Sequence, residues 1–290
     1  QSWPTQSESG PAAVLDRIAA AIQQTVEPEP MSAITGIGLG APGPLDPWRG
    51  VIRSAPNLPG WIDVPLRDRI QERVGRPVFV GNDANLAALG ELYFGAARGL
   101  KHVVYMTVST GIGGGVIVDG RLLLGRSGLA GEVGHMTIEP NGPRCGCGNY
   151  GCLEALASGP AIARDAQARI ANGARSKLTE LVHGDLALLD AVAVEQAARE
   201  GDELAVDVLR RAGTYVGIGV TNLLHLFDPE MVVIGGGVSR AGDFLFRPVI
   251  ETVKLRAMSS YSEGIAIVPA ALGDNAGLMG AVALVLAQQA

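Results

Sequence analysis

Cysteine is nearly absent from this chain, with three in 290 residues. All three stand between positions 145 and 152. An odd number leaves one thiol over, and Cys-x-Cys is poor bridge geometry, so a disulfide framework is a weak reading. Positive charge is also in short supply. Lys and Arg number 23 against 29 Asp and Glu, a net charge of −6. That balance argues against a nucleic-acid partner, which usually needs a basic patch. No apolar run reaches membrane-spanning length, so no membrane association is expected. No charged-then-apolar secretion signal opens the chain. Nor does an initiator Met: the sequence begins QSWPTQSESGP. No G-x-x-x-x-G-K-[ST] occurs, which excludes a P-loop enzyme. What is present is enough for a full core, with 47% hydrophobic and 18% charged residues. The length suits two ordinary domains or one large one.

Strands and helices alternate. PAAVLDRIAAAIQQTV reads as an amphipathic helix, with Val14, Leu15, Ile18 and Ile22 at helical spacing. AITGIGLG reads as a buried strand running into APGPLDPWRG, which its prolines make a loop. DVPLRDRIQERVG is a helix ending at Gly75. RPVFV is a strand with a helix directly after it. HVVYMTVSTGIGGGVIVDGRLLLG reads as two strands about a Gly-rich turn, then a second turn at Asp119-Gly120. The chain is then mainly helical from about Gly159 to Phe227. MVVIGGGVSRAG is a strand, a Gly turn and a helix; AIVPA is a last strand and AGLMGAVALVLAQQA a last helix. The class is α/β, with early and late βα units that look like two similar halves.

The cysteines belong to a wider pattern, His135-x9-Cys145-x-Cys147-x4-Cys152. Three thiolates and one imidazole are a complete tetrahedral zinc set with no open position, so the metal reads as structural. The bland reading is three free thiols and a loop histidine. Among the glycine loops, GLGAPG (38 to 43) matches G-x-G-x-x-G but is followed by Pro44 and Pro47, not by a helix, so it is no dinucleotide fingerprint. STGIGGGV (109 to 116) lies between two strands, where backbone N–H groups and the hydroxyls of Ser109 and Thr110 suit phosphate; a plain hairpin turn is the alternative. GGGVS (235 to 239) stands between a strand and a helix and suits a nucleotide. Asp83 follows a strand end, where α/β sheets expose ligands; Asn82 or Asp83 equally suits a helix cap. Glu132, Glu154 and Asn57 read either as sugar-hydroxyl ligands or as solvated and turn-forming residues.

Taken together, GAPGPLD, APNLPGW, GNDANLAALGE, STGIGGGVIVDGRLLLGRSGLAGEVGH, CGCGNYGCLE, ASGPAI, FDPEMVVIGGGVS and LGDNAGLMGA resemble the ROK family of sugar kinases and sugar-responsive repressors. The likeness covers nearly the whole chain and is nearest to the bacterial glucokinases of that family. It implies an actin-like ATPase (ribonuclease H-like) fold of two α/β domains with a cleft between them. The expected division is 1–105 for a sugar-side domain bearing the catalytic Asp and 106–274 for a domain with the zinc loop and the nucleotide. Residues 275–290 would be a helix returning to the first domain. The implied activity is ATP- and Mg²⁺-dependent phosphorylation of the 6-hydroxyl of a hexose, with glucose first. Asp83 would be the base, and Asn57, Asn82, Glu132, His135 and Glu154 would hold sugar hydroxyls. Thr110, Gly111, Gly113 and Gly114 would meet the phosphates, and Gly235 and Gly236 the adenosine. His135 would use one ring nitrogen for Zn²⁺ and the other for sugar. The family's kinases open with a strand and an Asp-x-Gly-Gly-Thr loop, and this sequence has no such loop. A first strand hairpin is thus expected to be missing, and a chain truly lacking it should bind sugar yet transfer phosphate poorly. Other readings are the sugar-sensing effector domain of a repressor, or a kinase for another hexose or an N-acetylhexosamine. A cytoplasmic homo-oligomer, dimer or tetramer, is expected.

Overall fold

The apolar spacing from Val14 to Ile22 forms a helix, α1 (Gly10–Val26), with Pro11 in its first turn and Val14, Leu15 and Ala19 buried. It is the first long element of the computed structural model, which describes residues 2–55 and 58–288. Strand β1 (Ile37–Ala41) follows. The proline-rich stretch expected as loop (41–50) holds β2 (Leu45–Asp46), which forms a small antiparallel sheet with β3 (Val51–Ser54) and β4 (Ile62–Val64) beyond it. Strand β2 fits because it is only two residues long and lies between the prolines; the Pro44 carbonyl still accepts the N–H of Arg53 at 2.9 Å. Helix α2 (Leu66–Val74) buries Leu66, Ile70 and Val74 and stops at Gly75, whose φ of 66° suits a residue without Cβ. Strand β5 (Val78–Asn82) pairs in parallel with β1, Ile37 opposite Val78 and Ala41 opposite Asn82. It runs directly into α3 (Asp83–Phe94).

The chain then crosses into a five-stranded sheet. Strands β6 (Val103–Val108), β7 (Ile112–Val118) and β8 (Arg121–Leu122) are antiparallel neighbours. The turn between β7 and β8 is Asp119-Gly120, both at positive φ, as a tight hairpin needs. The boundary expected after residue 105 falls inside β6; the sheet places the crossing earlier, between Phe94 and Val103. The metal loop leads to α4 (Leu153–Ala157), then α5 (Gly159–Ala171), α6 (Leu178–Leu181), α7 (Ala191–Arg199) and the long α8 (Glu203–Phe227). Strand β9 (Met231–Gly235) joins β6 in parallel. After the expected Gly turn comes a 3-10 turn, Gly237–Ala241, which Gly242 at positive φ sets off from α9 (Asp243–Arg256). After α10 (Ser259–Ser262), β10 (Ala266–Pro269) completes the order β10-β9-β6-β7-β8. The main core lies between this sheet (Val104, Met106, Val232, Ile234) and α8 (Leu209, Val216, Val220). The last helix, α11 (Ala276–Ala287), returns to pack on α3, β1 and β5. No helix among the described residues is long and apolar enough to cross a membrane.

Two features set how the first elements meet the second sheet. Helices α3 and α11 touch backbone to backbone through glycines. A Cβ on Gly280 would land on the Leu86 carbonyl, and one on Gly90 on that of Ala276. Beside them Glu91 is wholly buried, at 0% exposure. Its carboxylate accepts the N–H of Ala96 (2.8 Å), Ala271 (3.2 Å) and Leu272 (2.9 Å). Ala96 lies on the crossing from α3 to β6, and Ala271 and Leu272 lie on the crossing from β10 to α11.

Replacing Gly280 by Val has to push α11 off α3. The expected loss is about 1–3 kcal/mol, read as a lower urea midpoint at unchanged slope; an unchanged midpoint would mean the helices do not meet there.

Candidate active site and metal centre

The four predicted zinc ligands converge. One donor atom each from His135, Cys145, Cys147 and Cys152 lies within 4.8 Å of the others. The Sγ atoms of Cys147 and Cys152 are 3.7 Å apart, and Cys145 Sγ is 3.6 Å from His135 Nδ1. Tetrahedral zinc with Zn–S near 2.3 Å wants sulfurs about 3.8 Å apart, so the donor set fits the ion. Chain geometry explains the convergence. Bridges Thr137–Cys152 and Arg144–Tyr150 fold residues 137–152 back on themselves. Gly151 sits at φ 64°, where a Cβ would strike the Glu139 carbonyl. Burial pushes the Cys152 thiol up to about 12 and raises that of Cys145, while the Asn149 N–H lowers that of the exposed Cys147. The two buried thiols therefore ionise at neutral pH only with a cation to receive them. With Nδ1 in the cluster, His135 keeps Nε2 for a second partner.

Asn82 takes the capping role, and Asp83 lines a cavity. Asn82 caps α3: its Oδ1 accepts the N–H of Ala84 (3.0 Å) and of Asn85 (3.2 Å). Its Nδ2 makes no hydrogen bond among the described residues. Asp83 is the first helical residue, exposed, and accepts the Ala84 N–H at 2.8 Å. It lines a cavity of about 490 Å³ with Thr107, Ser109, Gly235, Gly236 and Arg240. Tyr105 lines it too, but burial pushes its phenol up to about 12, so it stays protonated and is no base. Glu132 is exposed ahead of the short turn that carries His135. Glu154 reaches from α4 to the glycine hairpin, where its Oε2 accepts the Ile112 N–H at 3.0 Å and lies over Gly111. Its Oε1 is 3.8 Å from Cys145 Sγ. Asn57 lies outside the described residues.

The glycines divide their work. Ser109, Thr110 and Gly111 form the turn between β6 and β7, and the Ser109 carbonyl accepts the Gly159 N–H at the start of α5 (2.7 Å). Gly113 and Gly114 lie inside β7, where missing side chains let Ala84 and Val133 approach. Gly236 is at φ 87°, against the Val108 carbonyl. Over this turn opens a second cavity of about 1000 Å³ between α5, α7 and the 3-10 turn after β9. Ser109, Gly237 and Arg240 line both cavities. The walls of the larger one, Pro160, Ala163, Gln167, Leu189 and Val192 among them, were not predicted. They come from separate helices, and no local pattern marks them. A largely apolar slot with a helix N-terminus at its mouth suits a nucleotide, base inward and phosphates toward the turn.

A family model, ROK family, matches residues 3–288. A glucokinase of Thermotoga maritima is 41% identical over 284 residues, 97% of this chain and 87% of that one. The crystal structure of a ROK family glucokinase from Streptomyces griseus, in complex with glucose and AMPPNP, is 37% identical. It superimposes with a TM-score of 0.83, covering 99% of this chain and 90% of the other. A xylose repressor of Bacillus subtilis is 34% identical over 90% of this chain but only 64% of its own length. The expected actin-like fold is the one the chain adopts.

Purified protein should hold one zinc per chain, and Cys152→Ser none, by elemental analysis. Because protons compete for the buried thiolates, zinc affinity should fall as pH falls. Zinc retained by the Ser variant would break the assignment.

Proposed function

Because the chain belongs to the ROK family, we propose that it is an ATP-dependent hexose kinase that phosphorylates the 6-hydroxyl of glucose. One observation carries the reading. Asp83 lines a cavity that shares Ser109, Gly237 and Arg240 with a larger one of nucleotide size. A base and a phosphoryl donor can thus be held on either side of one hydroxyl, and positioning is most of what phosphoryl transfer requires.

In this mechanism Asp83 takes the proton of the 6-hydroxyl as the oxygen attacks the terminal phosphorus of ATP; the bond from that phosphorus to the bridging oxygen breaks and ADP leaves. The Asn82 cap fixes the start of α3 and so the carboxylate. Asn82 Nδ2, Asn57, Glu132, His135 and Glu154 hold the other hydroxyls, and His135 does so through Nε2. Thr110 and Gly111 meet the phosphates, with Gly113 and Gly114 shaping the strand behind them. Gly235 and Gly236, expected against the adenosine, line only the smaller cavity beside Asp83. Gly237, which lines both cavities, is the glycine next to the nucleotide. Mg²⁺, arriving with ATP, supplies neutralising charge on the phosphates. His135, Cys145, Cys147 and Cys152 would hold Zn²⁺, which with no open position would brace the loop.

The identity to a xylose repressor supports a second reading, a sugar sensor without turnover. Asp83 and the large cavity, neither of which a sensor of sugar alone requires, favour the kinase. Preference among glucose, another hexose and an N-acetylhexosamine rests on pocket groups that reject analogues lacking a hydroxyl. The proposed division sets the first elements with α11 on the sugar side and the five-stranded sheet on the nucleotide side. We also propose a cytoplasmic homo-oligomer.

Asp83→Asn should lower the rate of glucose phosphorylation by about 10²–10⁴-fold and leave glucose affinity within about twofold, since only the proton acceptor is lost. Coupled-assay rates and calorimetry check both. A variant that kept most of its rate would remove Asp83 from the role of base.

A further inference from the structure

A nucleotide brings several negative charges, and the route proposed for its phosphates offers few positive ones. The charged residues lining the smaller cavity are Asp83, Asp274 and Arg240. Arg164 and Arg199 line the larger cavity with Asp190, Glu195 and Glu200. Both are engaged: Arg164 donates to the Ala155 carbonyl at 3.3 Å, and Arg199 to Glu195 at 2.8 Å. The glycine turn itself, Ser109 to Gly114, contains no basic residue. Arg240 is the basic side chain that lines both cavities, at their junction beside Ser109 and Gly237.

Its present partner is weakly held. Arg240 Nη2 donates to both carboxylate oxygens of Asp274, at 2.6 and 2.8 Å. The two side chains are 65% and 87% exposed, however, and such pairs contribute little. The backbone under Arg240 is firm by comparison. It belongs to the 3-10 turn Gly237–Ala241, and its carbonyl accepts from Arg199 Nη2 at 2.8 Å. The guanidinium can change partner by side-chain rotation alone. A planar fork of donors matches phosphate oxygens as well as it matches a carboxylate, and a doubly charged phosphate group outcompetes one.

We propose that Arg240 is a phosphate-recognition residue: when nucleotide binds, it leaves Asp274 and closes its guanidinium on the phosphate tail where the two cavities join. The inference deepens the kinase reading and rests on it. Asp274, in the turn that leads into α11, then acts as the placeholder that keeps the guanidinium at the mouth of the site between turnovers.

The test is calorimetric titration of the zinc-loaded chain with Mg-ATP, Mg-ADP and adenosine. Arg240→Ala should weaken ATP and ADP about tenfold or more, the usual cost of a lost charge-assisted pair, with adenosine within about twofold. Arg240→Lys should recover part of the loss as a point charge. Asp274→Asn, which removes the competing carboxylate, should bind ATP at least as tightly as the unmodified chain. ATP affinity within about twofold in Arg240→Ala would overturn the proposal, as would a fall in adenosine affinity that matches the fall for ATP. So would an Asp274→Asn variant as weak as Arg240→Ala. An unmodified chain that binds neither ATP nor ADP would instead sink the kinase reading and this inference with it.

Discussion

One buried carboxylate ties the first sheet to the second. Glu91 has no ion pair among the described residues, and a charge at 0% exposure is tolerable only if hydrogen bonds replace its water. Three backbone N–H groups do so, drawn from both crossings of the chain. A backbone donor cannot swing away as a side chain can, so the two crossings are held to one point. Asp83 lies eight residues earlier on the same helix, about 12 Å along its axis. The position of the proposed base is therefore indexed to the same point, and the glycine contact of α3 with α11 fixes its rotation.

A second chain of contacts runs from the candidate zinc cluster to the proposed phosphate side. Zinc would hold Cys152; Glu154 follows two residues later at the start of α4; and its Oε2 holds the Ile112 N–H at the foot of the glycine turn. The Ser109 carbonyl on the other side of that turn holds the start of α5. The backbone proposed to meet the sugar and the backbone proposed to meet the phosphates are thus parts of one braced unit. A loop so rich in glycine would otherwise sample many conformations, and fixing it beforehand removes that entropy from the binding step.

Much of this could be read in advance where a residue has one physical use. Three cysteines and a histidine at short spacing have few alternatives, and they converge. Asp119-Gly120 and Gly75 sit at the positive φ their turns require. Where a residue has two uses, local sequence was silent. Gly113 to Gly115 look like a phosphate cradle, yet in the strand they chiefly admit Ala84, Val133 and Ala88. Glu91 sits in an ordinary helical stretch, and nothing near it in sequence announces partners about 180 residues away. The large cavity draws on α5, α7 and the turn after β9, so it exists only once those elements have packed. The antiparallel strands β2 to β4 were hidden by the prolines between which the shortest of them fits.

The return of α11 to the first elements has a consequence for synthesis. A ribosome delivers the N-terminus first, and domains generally fold in the order they emerge. Here β1, β5 and α3 find their covering helix only in residues 276–287. The opening third of the polypeptide must therefore wait, its apolar face unburied, while the whole five-stranded sheet is made. Its last packing step comes only once α11 has cleared the exit tunnel. Of the elements described, β1, β5 and α3 are made before the five-stranded sheet and covered after it.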